Sequence, residues 1–241
     1  MSTALSVEDL QLGKRGDRLS SVSISIEDGV FFGLVGMNGA GKTSLIQTIL
    51  DFCRPESGTI TTNGYSHRLP ASRQHLAYLP ERFTPPSHLT AEKFLRRMAA
   101  LYGSEFQRNT TLELFDQLAL ERSSFTKPLK QFSKGMAQKV GLIALLMSNR
   151  DFLILDEPMS GLDPYSRALM KNLLLRRREH HQQPHTLLLS SHMLSDVEIL
   201  CDQIAILHQG VLQFTGSPEE CLLYYQADTL EQAYVNCIDN L

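Results

Sequence analysis

The stretch LVGMNGAGKTSLIQTIL, residues 34–50, decides the fold. Its apolar head ends at Val35, and a glycine-rich turn leads into a helix whose first turn holds Lys42, Thr43 and Ser44. This is the G-x-x-x-x-G-K-[ST] spacing, with the preceding strand and following helix that give it meaning. Gly36, Gly39 and Gly41 open backbone conformations that a side chain would forbid. Successive N–H groups along Gly36, Met37, Asn38, Gly39, Ala40 and Gly41 can then turn inward around an anion. The positive end of the helix dipole reaches the same point. Lys42 is placed to reach the β- and γ-phosphates and the Thr43 hydroxyl to coordinate magnesium. The expected ligand is therefore a nucleoside triphosphate with Mg2+.

Outward from this loop the chain alternates strands and helices. Strands are predicted near 5–9, 21–26, 31–35, 59–62 and 76–79, and VSISI shows the period of two of a half-buried strand. Helical patterns follow at 90–102, 108–119 and 134–148, then the wholly apolar strand FLIL at 152–155. A helix at 164–179, a strand at 186–190, a helix at 193–201, strands at 203–207 and 211–214 and two short helices complete the chain. The pattern predicts a parallel α/β sheet with ligand at the carboxyl ends of its strands. The block from about 84 to 148 is almost all helix and reads as an insertion into one nucleotide-binding core.

Two acids end the apolar strand in FLILDEPMSGLDP. Asp156 stands where a carboxylate holds magnesium through water opposite Thr43. Glu157, one residue nearer the phosphate, is placed to orient or deprotonate an attacking water. Ser133, Lys134 and Gly135 open another helix, so a hydroxyl, an ammonium and bare amides converge on a positive dipole end. The simpler role of Ser133 is an N-cap, and Asp163 would likewise cap the helix that starts at Pro164.

Composition narrows the function classes. Of 241 residues 42% are hydrophobic and 20% charged, as in an ordinary soluble globular chain. A net charge of -3, from 23 Lys and Arg against 26 Asp and Glu, offers no broad basic field for nucleic acid. The four cysteines show neither C-x-x-C spacing nor a disulfide-dense pattern, so a reduced cytoplasm is expected. MSTALSVEDL shows no positive segment followed by an apolar core, so no secretion signal is expected, and no run approaches the roughly eighteen apolar residues that span a bilayer. A membrane role is expected to need another chain. His180, His181 and His185 in RRREHHQQPH lack the partner set of a metal site and read as a solvated helix end.

These motifs, taken together, resemble the ATP-binding subunit of an ABC transporter. GMNGAGKTS and FLILDE are joined by QFSKGMAQKVGLIALLMSN, SGLDP and SSHMLSDVE in the family's order, from about residue 5 to 216. The resemblance implies an α/β P-loop NTPase core with a parallel sheet, an N-terminal antiparallel β portion and an inserted α-helical subdomain. It places an ATPase domain over 1–216, with the core at 1–83 and 149–216 and the helical subdomain at 84–148, followed by a C-terminal extension at 217–241. It implies catalysis by Glu157, with His192 contacting the γ-phosphate. It also implies that Ser133, Lys134 and Gly135 face ATP bound by a second ATP-binding subunit, and that Asp163 couples the two sites. Permease subunits would supply the membrane span and hold this chain peripherally on the inner face of the cell membrane.

Departures from the family pattern sharpen the expectation. Glu81 stands where a glutamine usually joins magnesium to the membrane partner; a carboxylate still reaches magnesium through water but donates no amide hydrogen bond. Lys134 and Met136 in the signature, and the ending TLEQAYVNC, look like the exporter branch. No aromatic residue stands where adenine usually stacks, and LQLGKRGDRL offers Leu12, Lys14, Arg15 or Arg18 instead. Two other classes compete: a soluble ABC ATPase in an assembly or nucleic-acid process, and a nucleotide-sensing module without turnover.

Overall fold

The computed structural model of the chain describes residues 2–13, 19–180 and 185–239. Two compact units emerge: Met1–Leu76 with Asp151–Glu157 and Gln182–Leu241, and Ala77–Arg150 with Pro158–His181.

The first unit holds two sheets. In one, β1 (Thr3–Leu12) pairs antiparallel with β2 (Leu19–Glu27) and with β4 (Ser57–Thr62), and β5 (Tyr65–Ser66) follows on β4. Along β2, Val22, Ile24 and Ile26 are buried while Ser23 and Ser25 face out, the alternation of a sheet with one wet face. The other sheet is mostly parallel. β3 (Phe31–Val35) lies between β8 (Thr186–Ser191) and β9 (Gln203–His208), β7 (Phe152–Asp156) flanks β8, and β10 (Val211–Gly216) runs antiparallel beside β9. Every residue of β3, β7 and β8 is buried, which is why their middles, FFGLV, FLIL and LLL, read as apolar runs. Each such Leu, Ile or Phe contributes roughly 1.5–3 kcal/mol by leaving water.

Register then positions the site. Val35 pairs with Ser191 and Asp156 with Ser190, so the carboxyl ends of β3, β8 and β7 finish side by side. The polar residues that end β7 and β8 share one edge with the end of β3. Helix α1 (Lys42–Ile49) leaves from that edge, and α6 (Leu194–Leu200) packs against β3 and β8. Gly33 admits this close approach, since a Cβ there would stand 2.5 Å from Val197 Cγ1. The chain ends in α7 (Pro218–Tyr225), opened by a Ser217–Glu220 capping box, and α8 (Leu230–Asp239), which packs on α6 and α7.

β6 (Leu76–Leu79) carries the chain into the second unit, built from α2 (Ala91–Tyr102), α3 (Arg108–Gln117), α4 (Lys134–Leu146) and α5 (Pro164–His180). Thr90 caps α2 by accepting from the Lys93 N–H, and Gly103 ends it at φ 72. Phe115 and Phe125 meet edge to face at 5.1 Å in its core. From Gln138 to Leu146 every residue of α4 is buried. The mixed α/β class, with parallel sheet, antiparallel portion and helical block, is as expected from sequence. β5 and the 3-10 turns at Pro70–Arg73, Arg122–Thr126 and Leu129–Gln131 have no counterpart in the hydrophobic periodicity, because each is too short to show a period.

Candidate functional site

The loop after β3 is fixed by its surroundings. A Cβ on Gly36 would stand 2.4 Å from the Leu207 carbonyl oxygen, so only glycine fits there. Gly41, at φ 105, turns the chain into α1 in a conformation other residues resist. The Gly210 N–H donates to the Ala40 carbonyl at 2.9 Å and the Ala40 N–H to the Met37 carbonyl at 3.1 Å. No side chain caps α1, and its first turn holds no acid. Its amide end and its dipole are thus left for an anion.

Lys42, 5% exposed, lies along this loop. Its ammonium donates to the carbonyls of Gly36 at 2.6 Å and Met37 at 3.3 Å, and sits 3.1 Å from Glu157 Oε1. Asp156 ends β7 with 1% exposure, and its Oδ1 accepts from the Ser190 hydroxyl and, at 3.3 Å, from the Thr43 hydroxyl. A hydroxyl and a carboxylate so placed form the oxygen donor pair that magnesium takes beside phosphate oxygens and water, so the residues fit that ion.

Glu157 is the strained member. Its φ of 45 is left-handed, a conformation that costs a non-glycine residue about 1–3 kcal/mol. The surrounding bonds offset it: its N–H donates to Ser190 Oγ at 2.9 Å, Oε1 meets the Lys42 ammonium, and Oε2 lies 2.8 Å from His192 Nδ1. With the proton on Nδ1, the imidazole donates to the carboxylate and leaves its other nitrogen facing outward. Adjacent carboxylates are thereby split between two tasks, Asp156 toward Thr43 and Glu157 toward Lys42 and His192.

Lys42, Thr43, Asp156, Glu157 and His192 are brought together within the first unit, around a loop that also contains Met37, Asn38 and Gly39, with Ser44 following in α1. Glu81, Ser133, Lys134, Gly135 and Asp163 belong to the second. There Ser133 caps α4, its hydroxyl accepting from the Met136 N–H at 3.1 Å. Gly135 gives passage to Leu162, whose Cδ2 would lie 3.1 Å from a Cβ. Asp163 caps the start of α5, accepting from the Ser166 N–H at 2.9 Å and its hydroxyl at 2.6 Å. The Ser166 hydroxyl, then the backbone bonds, hold the Asp163 carboxyl below its ordinary value. Half-buried Glu81 follows Pro80, whose carbonyl accepts from Gln138 Nε2 at 3.4 Å.

Two participants escaped the sequence reading. Ser190 ties Asp156 to the Glu157 backbone; the signal is a serine that follows the three leucines of TLLLSS. Tyr234 of α8 accepts from the Met37 N–H at 3.3 Å, and nothing local to either residue announces that contact. Of the candidate base contacts, Leu12 is half-buried in β1, while Lys14, Arg15 and Arg18 lie outside the described residues. His181 and the side chain of His180 lie outside them too, and His185 is buried. Among the described residues no group of three or more His, Cys, Asp or Glu could hold a metal ion, and no helix is long and apolar enough to cross a membrane.

Comparison with known proteins adds identity to this geometry. A family model described as ABC transporter matches residues 19–160. An uncharacterized ABC transporter ATP-binding protein of Synechocystis is 37% identical over 88% of this chain and 60% of its own length. This chain thus spans less than two thirds of that relative. The linearmycin resistance ATP-binding protein LnrL of Bacillus subtilis is 30% identical over 92% of this chain and 71% of its own. A solved structure of the ATP-binding subunit of an ABC transporter superposes with a TM-score of 0.85 at 30% identity, covering 98% of this chain and 99% of that one.

Proposed function

Because the chain belongs to the ABC transporter family, we propose that it is an ATP-hydrolysing subunit that drives transport through a separate membrane-spanning partner. The carrying observation is Glu157, held in a strained backbone between the Lys42 ammonium and the His192 imidazole at the mouth of the amide-lined loop.

In this reading the amides of Gly39, Gly41, Lys42, Thr43 and Ser44 hold the phosphate tail. Lys42 exchanges the carbonyls of Gly36 and Met37 for phosphate oxygens, which frees Glu157 Oε1 to accept a proton from the attacking water. His192 keeps that carboxylate aimed and contacts the terminal phosphate. Thr43 and Asp156 hold magnesium, which when bound neutralises charge on the β- and γ-phosphates. Ser133, Lys134 and Gly135 of a second copy complete each site, Asp163 couples the two sites, and Glu81 links magnesium to the permease. The helical block 84–148 carries the signature and the permease contact, and 217–241 is an extension of the core. Export is the direction favoured, on the resemblance of residues 229–237 to the exporter branch and on a relative named for resistance.

Glu157→Gln tests the assignment. It keeps shape and removes the base, so steady-state hydrolysis falls by on the order of a hundredfold or more, and gel filtration with magnesium-ATP shows a trapped dimer. Undiminished turnover would overturn the proposal.

A further inference from the structure

We propose that Tyr234 is a positioning residue for the phosphate loop, and that through it the C-terminal helix α8 is energetically coupled to nucleotide binding; this rests on the nucleotide reading above. The argument turns on one peptide plane. The carbonyl of Gly36 and the N–H of Met37 belong to the same trans peptide and so point in opposite directions. Lys42 grips the carbonyl end at 2.6 Å, and the Tyr234 hydroxyl accepts from the N–H end at 3.3 Å. Tyr234 therefore fixes the tilt of the plane on which the lysine rests.

Besides the Met37 carbonyl, which accepts from the Ala40 N–H at 3.1 Å and from Lys42 at 3.3 Å, the front of the loop has little to hold it. Gly36 is wedged against the Leu207 backbone and the Ala40 carbonyl is taken by the Gly210 N–H, which anchors both sides. Between them, the Met37 side chain is 63% exposed and a Cβ on Gly39 would meet nothing within 4 Å. That span has no packed side chain to restrain it.

The platform behind Tyr234 is firm. Leu230, Ala233 and Cys237 bury one face of α8, which packs on α6 and α7. Thr229 starts the helix by accepting from the Gln232 N–H at 3.2 Å, and Asn236 Nδ2 donates to the Tyr225 carbonyl at 2.9 Å. Half-buried Tyr234 keeps its phenol protonated through neutral pH, because burial pushes its titration upward. A cradle tied to such a platform loses less freedom when phosphate enters. By linkage, phosphate in the cradle must tighten α8 by the same factor.

Tyr234→Phe removes the oxygen and keeps the ring. Magnesium-ATP titration, turnover and amide hydrogen exchange are compared with the wild type. The variant is expected to bind ATP about two- to tenfold more weakly, the worth of one hydrogen bond, with KM raised and kcat at saturation unchanged. In the ligand-free variant the Met37 amide exchanges faster, and the ATP-induced protection of residues 230–239 seen in the wild type shrinks. Equal affinity and equal exchange in the two proteins overturn the proposal and leave the ATP reading standing, as does a fall in kcat with KM unmoved. A wild type that binds no ATP overturns both readings, and Met37 exchange in the ligand-free pair still shows whether the hydrogen bond forms.

Discussion

At the residue scale, the buried Lys42–Glu157 pair links stability to chemistry. Each charge is more than nine-tenths buried, at 5% and 7% exposure, so removing one leaves the other in a poorly solvating place. Lys42→Met should cost about 3 kcal/mol in denaturant unfolding of the ligand-free protein, and adding Glu157→Gln should recover most of that loss. A double variant less stable than the single one would mean the pair is not energetically coupled. Ser190 predicts a separate effect. Its hydroxyl donates to Asp156 and accepts from the Glu157 N–H, so Ser190→Ala loosens both acids at once. The Glu157 N–H retains the Ser190 carbonyl at 3.2 Å, which limits the loss to on the order of tenfold in kcat.

At the scale of elements, caps and short helices fix where the chemistry points. Ser133 and Asp163 serve as N-caps of α4 and α5, and the same groups are the ones proposed to meet a second copy's nucleotide and to couple the two sites, respectively. The α7–α8 pair carries a pH dependence of its own. Burial pushes the Cys221 thiol up to about 11 and the Tyr225 phenol also upward. An acid whose folded-state titration is raised leaves stability fully present below its unfolded value, near 9 for the thiol, and lost as pH rises toward the folded one. Midpoints of urea unfolding should therefore fall between pH 9 and 11, with a shallower fall in Cys221→Ala; identical slopes in both proteins would exclude the thiol as the cause.

At the scale of the whole molecule, no helix among the described residues is long and apolar enough to cross a membrane, and the proposed transport role puts the span in a separate partner. Purification from detergent-solubilised membranes is expected to bring a multi-span protein with this chain, and its absence would favour a soluble role. The ordered motifs made the fold class legible and named Lys42, Thr43, Asp156, Glu157 and His192, which the fold does bring together, because the strand–loop–helix context of such a loop is local. FLILDE was equally legible, since a strand buried on both faces must be apolar throughout and its first polar residues mark the sheet edge. What sequence spacing could not give was partnership across distance. Ser190 beneath both acids follows from parallel register between β7 and β8, and Tyr234 on Met37 joins residues 197 positions apart. The left-handed turn at Glu157 likewise depends on bonds from other strands that outweigh its own preference. Local pattern is written in neighbours along the chain, whereas side-chain partners are chosen by packing, and only the folded core brings those side chains within hydrogen-bond range.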